Sequence, residues 1–358
     1  MKKISLIIIM LVVMILFNFS ATNIVIADTT NIETDIYSIY DEKFNLLFQK
    51  DFVSVGDNYL SKDFNFYEIV YVDNANKTGI AKFIEKKELP NANKSFGVKN
   101  INVQDRVICM YMTHNDESYV PTDGVDSIYG NGGIKDVALS FKSALEKNLI
   151  DVYFDDTLHI PHDSGAYSRS QKTAKSLQSK YKPDAIFDIH RDGTSRSFYV
   201  TKVDGKERAR VRMVIGKSNP NMKLNEEFAF YLMSVGNEMY PWLFTDIYYA
   251  SGHYNQALDS KAILFEMGSH LCEKELVIDS LDELAEVVTK TLYNTTVDTN
   301  SGELTINGPV SSDKVVVNEV LDEKENNGSG VLMVCIIIVL ISAIAVNLFA
   351  IFYSRHKK

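Results

Sequence analysis

Three stretches of the sequence place metal-type side chains at the end of an apolar run. RVICMYMTH runs on into Asn115-Asp116-Glu117-Ser118-Tyr119. DAIFDIH closes with Asp188-Ile189-His190-Arg191-Asp192, and KAILFEMGS carries Leu264-Phe265-Glu266-Met267-Gly268-Ser269. A catalytic zinc ion takes three protein ligands from His and carboxylate and keeps one position for water. His114 and Glu117, three apart where a strand turns into a loop, can meet one ion, and His190 supplies a third ligand from a neighbouring strand. Glu266 is then placed as general base, taking a proton from the water and passing it to a leaving amine. H-x-x-E alone is a weak signal. The chain holds a second H-x-x-E, His270-Leu271-Cys272-Glu273, leading into a helix start where Glu273 has a routine N-terminal role. The coincidence of three polar strand ends is what lifts the first one.

The elements that must carry these ends are legible in the pattern. RVICMYMTH reads as a buried strand. IKDVALSFKSALEKNL reads as a helix with Val137, Phe141, Ala144 and Leu145 on one face. IDVYFDD is a second strand, SRSQKTAKSLQSKY a second helix, and DAIFDIH a third strand, apolar on both faces as parallel strands are. SFYVTKV, Asp204-Gly205 and RARVRMVIG form a hairpin. LNEEFAFYLMSVGNEMY is a helix with Leu224, Phe228, Tyr231, Leu232, Val235 and Met239 inward. KAILFEMGS is another strand, and Ser280-x-x-Glu283 is a capping-box start for a last helix. Alternating strands and helices over 101–295 predict an α/β domain with a largely parallel sheet flanked by helices, its site at the carboxyl ends of the strands. Residues 28–100 read as a small β module, with β-branched and aromatic runs in NYLSKDFNFYEIVYVDN and TGIAKFIEKK.

The 358 residues suit two folded units plus extensions. Residues 1–27 start Met1-Lys2-Lys3, continue ISLIIIMLVVMILF and reach small residues near Ala27, as an export signal or N-terminal anchor does. Residues 331–353 carry no charge and are long enough to cross a bilayer. The basic tail 354–358 follows and marks the cytoplasmic side. Residues 296–330, rich in Asn, Ser, Gly, Asp and Glu, read as a flexible tether. Both ends are then inside and residues 28–330 lie on the extracytoplasmic side of the cell membrane. With the basic ends set aside, residues 28–330 hold 32 basic against 47 acidic residues, a net −15 that argues against nucleic acid as the partner. Three Cys make no disulfide framework. Cys335 lies in the predicted span, and Cys109 and Cys272 sit in apolar runs as buried thiols.

His114-Asn115-Asp116-Glu117-Ser118-Tyr119, His162-Asp163, Tyr167-Ser168-Arg169-Ser170, Asp188-Ile189-His190-Arg191-Asp192, Tyr254-Asn255-Gln256-Ala257-Leu258 and Glu266-Met267-Gly268-Ser269 resemble, in order and spacing, the motif series of the stage II sporulation protein P family. The resemblance covers roughly residues 100–290, and Gly56-Asp57 with Ala81-Lys82-Phe83 extend it into the β module. It implies a zinc-dependent N-acetylmuramoyl-L-alanine amidase that also cuts peptide cross-links of peptidoglycan. The implied setting is sporulation septal thinning and engulfment, with stage II sporulation proteins D and M as partners. It implies zinc on His114 and His190 with Glu266 catalytic. For the remaining ligand two residues stand open. In the amidases that ligand lies further along, on a helix, where Glu146 would fall; Glu117 follows the H-x-x-E spacing of zinc carboxypeptidases. Against a peptidoglycan substrate, Arg169 and Arg191 are candidates to hold carboxylates, and Asn255 and Gln256 to bind the peptide stem. Asp188 or Asp192 would fix the His190 ring, and His162 and Asp163 would line the cleft. Two rival readings are a zinc peptidase of carboxypeptidase type and a non-catalytic wall-binding scaffold. The C-terminal span departs from the family's single N-terminal anchor.

Overall fold

The structure, a computed structural model, describes residues 36–92, 96, 103–298 and 303–306. The predicted export signal, membrane span and basic tail, and nearly all of the tether, lie outside these residues. Among the described residues no helix is long and apolar enough to cross a membrane.

The chain opens with β1 (Tyr37–Asp41), β2 (Leu46–Lys50), β3 (Asn58–Ser61), β4 (Asn65–Asp73) and β5 (Thr78–Lys86). It continues through β6 (Val107–Tyr111), α1 (Ile134–Lys147), β7 (Asp151–Asp155), α2 (Ala166–Tyr181) and β8 (Ala185–Asp192). Then come β9 (Val200–Val203), β10 (Lys206–Ala209), β11 (Val211–Gly216), α3 (Met222–Met239), β12 (Phe244–Ala250), β13 (Ala262–Ser269) and α4 (Leu281–Tyr293). One 11-stranded sheet runs β2-β1-β5-β4-β3-β12-β11-β13-β8-β6-β7. The α/β class is as expected, but the sheet is mixed rather than largely parallel. β13, β8, β6 and β7 run parallel, and so do β11 and β12, whereas β11 meets β13 antiparallel and β3 meets β12 antiparallel. The reason lies between β8 and β11. A parallel pairing needs a long crossover, and that connection holds only a short helical turn and the β9–β10 hairpin at Asp204-Gly205. The chain therefore enters β11 reversed.

The helices form for the reasons their patterns suggest. On α1, Ile134, Val137, Ala138, Phe141, Ala144 and Leu145 make one apolar stripe. They join α3 and α4 in the main core, with Ile108 and Met110 of β6, Phe187 and Ile189 of β8, and Phe265 and Met267 of β13. Two details differ from the pattern reading. Leu224 is exposed, because it lies on the outer side of α3, while Met222 and Asn225 of the same turn face inward. Ser280 caps nothing with its side chain, since its hydroxyl donates to the Leu276 carbonyl of the preceding turn.

Strand alternation decides where the chemistry sits. With Phe187 and Ile189 in the main core, Asp188, His190 and Asp192 point to the opposite face. There Cys109, Tyr111, Ala174, Leu177 and Ile186 pack under α2. Leu264 of β13 faces a third core built from β1–β5, and Glu266 follows it on that side. The two cysteines are buried free thiols, as expected.

The β1–β5 strands do not extend flat. β2 lies eight places from β8 in the sheet order, a separation of about 38 Å at the usual spacing near 4.8 Å. Yet Phe48 of β2 packs its ring 5.6 Å from Tyr248 of β12, and Lys50 reaches Asp192 of β8 at 2.6 Å. The sheet must roll back over its own face. Register shifts in β4 opposite β5 and in β1 opposite β2 supply the bends. At one of them Gly79 admits the Tyr71 carbonyl so closely that a Cβ there would lie 2.8 Å from it.

Candidate metal centre

β6 ends at Tyr111, and the following loop turns back through His114, Asp116 and Glu117 before α1 begins. A tight weave of backbone bonds fixes this loop: Ile128 donates to Asp116, Gly132 to Asn115 and Ile134 to Glu117. Across the parallel pairing, His190 of β8 stands in register with Glu266 of β13. Just past Glu266 the register slips, and Gly268 takes φ +71°, where a Cβ would strike Val277. This bulge explains the glycine of Glu266-Met267-Gly268-Ser269 and bends the strand directly after the carboxylate.

Of the predicted set, Glu117 and His190 meet directly, His114 stands beside His190, and Glu266 is the cross-strand neighbour of His190. His190 Nδ1 lies 3.3 Å from Glu117 Oε1, and the His114 and His190 rings meet edge to face with centroids 5.2 Å apart. On its other side His190 Nε2 is 3.1 Å from Asp188 Oδ1. Asp188 is locked by the backbone N–H and hydroxyl of Thr113 at 2.9 and 2.6 Å. Asp188, not Asp192, is thus the carboxylate beside the ring, in an ion-pair contact that lacks hydrogen-bond geometry. The second Glu117 oxygen accepts the Arg191 backbone N–H at 3.0 Å. Glu146, the rival ligand, is half-exposed on α1 and paired with Lys142, so it stands apart from the cluster.

The electrostatics follow from burial and crowding. Burial works against a charge on His190, yet Asp188 and Glu117 on its two flanks hold its pKa well above the usual range. Burial likewise opposes ionisation of Glu117, but His190, then Arg191 and His114, bring it down to about 2. Burial lowers His114 to about 4, with His190 and His162 adding to the effect. Burial pushes Glu266 up to about 7, Asp192 pushes the same way, and Lys50 and His190 oppose.

The residues fit a cation. Two carboxylates flank one imidazole, an arrangement that favours positive charge there, whether a ring proton or a bound cation. The 3.3 Å between His190 Nδ1 and Glu117 Oε1 matches two ligands of one tetrahedral ion with bonds near 2.0–2.1 Å, which stand roughly 3.3 Å apart. Asp188 lies beside the far nitrogen, on the side where metal-bound imidazoles keep an outer carboxylate. His114 Nδ1, His190 Nε2 and Glu266 Oε2 are buried with no hydrogen-bond partner.

A second donor set overlaps the first and was missed as such by the sequence reading. Ligand atoms of His114, Asp116 and His162 lie within 4.8 Å of one another. The His114 and His162 rings stack at 3.8 Å, and His162 Nδ1 is 3.0 Å from Asp116. The other Asp116 oxygen accepts the Ser127 hydroxyl. The signal was present in the second carboxylate of His114-Asn115-Asp116-Glu117 and in His162-Asp163. Lys50, Tyr167 and Tyr199 were also missed. Tyr167 shelves His190 at 6.3 Å and meets His114 edge-on.

Four residues assigned to substrate are occupied elsewhere. Gln256 is buried, its amide accepting from Gly216 N–H and donating to the Val214 carbonyl, so both ends are tied to the backbone of β11. Asn255 is buried and donates to Ser170 and to the Tyr167 carbonyl, tying down α2. Arg169 donates to the His159 and Pro161 carbonyls and to Asp163, bracing the loop that carries His162. Arg191 donates to the Ser118 and Asp126 carbonyls, bracing the loop that carries Glu117. His253 is exposed, as expected, and His270 is buried, its backbone N–H donating to the Asp192 carbonyl at 2.9 Å.

Fold and site together define an α/β protein with imidazoles and carboxylates gathered at strand ends. The family model of stage II sporulation protein P matches residues 35–289. The chain belongs to that family. Stage II sporulation protein P of Bacillus subtilis (strain 168) is 29% identical over 204 residues, which are 52% of this chain and 51% of that protein. The chain thus spans about half the length of that curated relative. Among solved structures, an N-acetylmuramoyl-L-alanine amidase from Clostridium difficile 630 matches with 15% identity, 52% of this chain, 95% of its own and a TM-score of 0.33. The CwlD amidase from Clostridioides difficile, solved in complex with the GerS lipoprotein, matches with 12% identity, 51% and 94% coverage and a TM-score of 0.35. These scores are too low to fix a common fold.

Proposed function

We propose that the chain is a zinc-dependent peptidoglycan hydrolase that cleaves the amide between N-acetylmuramic acid and L-alanine. Its ligands are His114, Glu117 and His190, and Glu266 is the proton shuttle. The observation that carries the reading is the His190 ring held between Glu117 at 3.3 Å and the anchored Asp188 at 3.1 Å. His114 Nδ1 beside it lacks any partner. His162 and Asp116, by contrast, already satisfy each other, and they back the His114 ring. When bound, the ion acidifies water and polarises the scissile carbonyl. Glu266 Oε2, buried and unpartnered, takes a proton from the attacking water. As the C–N bond breaks it returns that proton to the departing L-alanine nitrogen, leaving a lactyl carboxylate and a free amine.

The substrate class rests on family membership and on the ordered motifs. The carboxypeptidase alternative needs an arginine free for a terminal carboxylate, and both Arg169 and Arg191 are committed to loop carbonyls. Cleavage of peptide cross-links, a role in engulfment, assembly with stage II sporulation proteins D and M, and an extracytoplasmic site tethered at the cell membrane belong to the same proposal. The test is digestion of purified sacculi by the full chain, with mass spectrometry of the released material. Peptides with a free L-alanine amino terminus are expected. Release of D-alanine or of cross-link fragments alone would assign a peptidase. No release with zinc bound would leave a wall-binding scaffold.

A further inference from the structure

Lys50 closes β2, at the edge of the sheet and 142 residues away from Asp192 in sequence. The roll of the sheet carries it into the centre. Its ammonium donates to Asp192 Oδ1 at 2.6 Å, lies 3.6 Å from Asp51, and stands 3.8 Å from Glu266 Oε1. Asp192 cannot follow Lys50 if it moves. Its other oxygen takes the Tyr199 hydroxyl at 2.9 Å and the guanidinium of Arg212, which is fully buried and grips Asp246 at 2.5 and 3.0 Å. Lys50 and Arg212 face Asp192 and Asp246, with half-exposed Asp51 at the rim, so the ammonium sits on a platform tied down by ion pairs. Glu266 is the additional acid that this platform faces. Its Oε1 looks toward the ammonium, and its Oε2 has no partner.

We propose that Lys50 is a positioning residue for Glu266: its fixed ammonium, 3.8 Å from Oε1, attracts that oxygen and so leaves the other for proton transfer. The N-terminal strands are then part of the hydrolytic centre and not only a module beside it. The inference rests on Glu266 being the proton shuttle.

The experiment uses the full chain as wild type, Lys50→Met, Lys50→Arg, Glu266→Asp and Glu266→Gln, and the double variant Lys50→Met with Glu266→Asp. Each is assayed on a soluble glycan–peptide fragment, alongside its zinc content and melting temperature. Misplacing a reacting group by about 1 Å costs on the order of 10²-fold. Lys50→Met is therefore expected to lower kcat roughly 10–100-fold with KM and zinc unchanged, and Lys50→Arg to recover much of it. Shortening the acid in Glu266→Asp already withdraws it from Lys50, so adding Lys50→Met should cost less than threefold more, roughly the limit of additivity for independent sites. An equal loss in both backgrounds, loss of zinc, or failure of Lys50→Arg to recover activity in a folded protein would overturn the proposal. Wild-type kcat in Lys50→Met would overturn it while leaving Glu266 in place. Wild-type kcat in Glu266→Asp and in Glu266→Gln would instead overturn the reading of the base, and the Lys50 proposal with it.

Discussion

Replacing Glu117 by Gln separates the two donor sets and the two candidate glutamates at once. Glu117 uses both oxygens, one 3.3 Å from His190 Nδ1 and one accepting the Arg191 N–H at 3.0 Å. An amide of the same shape has a single acceptor. If its oxygen stays on Arg191, its NH2 faces the imidazole nitrogen that should hold the metal. If it turns to the metal, the Arg191 N–H loses its partner. Structural zinc sites gain about 10–16 kcal/mol from four ligands, so one ligand is worth roughly 3 kcal/mol, or about 100-fold in affinity. Glu117→Gln should therefore weaken zinc binding about 100-fold, read by competition against a chromophoric chelator and by metal analysis. Glu146→Gln should bind zinc as the wild type does, since Glu146 only pairs with Lys142 on an exposed helix face. Such a pair is worth about 0.3–0.5 kcal/mol of stability. Asp116→Asn should weaken zinc far less than Glu117→Gln, because Asp116 is engaged with His162 and Ser127. Wild-type affinity in Glu117→Gln would refute the assignment. Combined with a large loss in Asp116→Asn, it would move the ion to His114, Asp116 and His162.

Glu266→Gln should keep stoichiometric zinc and lose turnover by about 10²–10⁴-fold, the usual weight of general acid–base catalysis; a release assay on sacculi with parallel metal analysis checks both. Gln256→Ala should destabilise the fold by roughly 1–3 kcal/mol, because the Gly216 N–H and Val214 carbonyl lose their partners, while KM stays unchanged. Urea unfolding and steady-state kinetics together test this, and a raised KM with normal stability would restore Gln256 as a substrate contact. Leu232→Ala, in the fully buried stripe of α3, should cost about 2–5 kcal/mol in the same unfolding assay without altering zinc affinity.

Much of the fold was legible because its strands are short apolar runs and its helices carry clean stripes. The parallel arrangement was overestimated because the rule of alternating elements assumes a crossover between strands. The hairpin at Asp204-Gly205 was readable, but its effect on the direction of β11 was not. β12 escaped notice because Thr245 and Asp246 break its apolar run, and Asp246 is there to meet Arg212, a partner on another strand. Gln256 and Asn255 were misjudged for a related reason. Loop amides usually face solvent, but these tuck beneath α2 and pair with backbone that no local pattern reveals.

The candidate ligands were legible for a different reason: they come from strand ends, and a strand end fixes which side chains stand together. His190 and Glu266 are cross-strand neighbours, and alternation along β8 and β13 puts both on the face away from α1. What alternation cannot give is the charge that faces them from outside the local pairing. Lys50 approaches only because bulges in β1 and β4 roll the sheet back through the width of eight strands. A run of β-branched and aromatic residues predicts strands, but not how far they curl. It follows that the Glu266 environment depends on register shifts in strands that contain none of the candidate metal ligands. A substitution that straightens β4, such as Gly79→Val, which would drive a side chain into the Tyr71 carbonyl, should lower kcat by the same route as Lys50→Met while leaving zinc in place. Loss of zinc together with kcat in a folded Gly79→Val protein would show that the strands support the whole centre, and not Glu266 through Lys50.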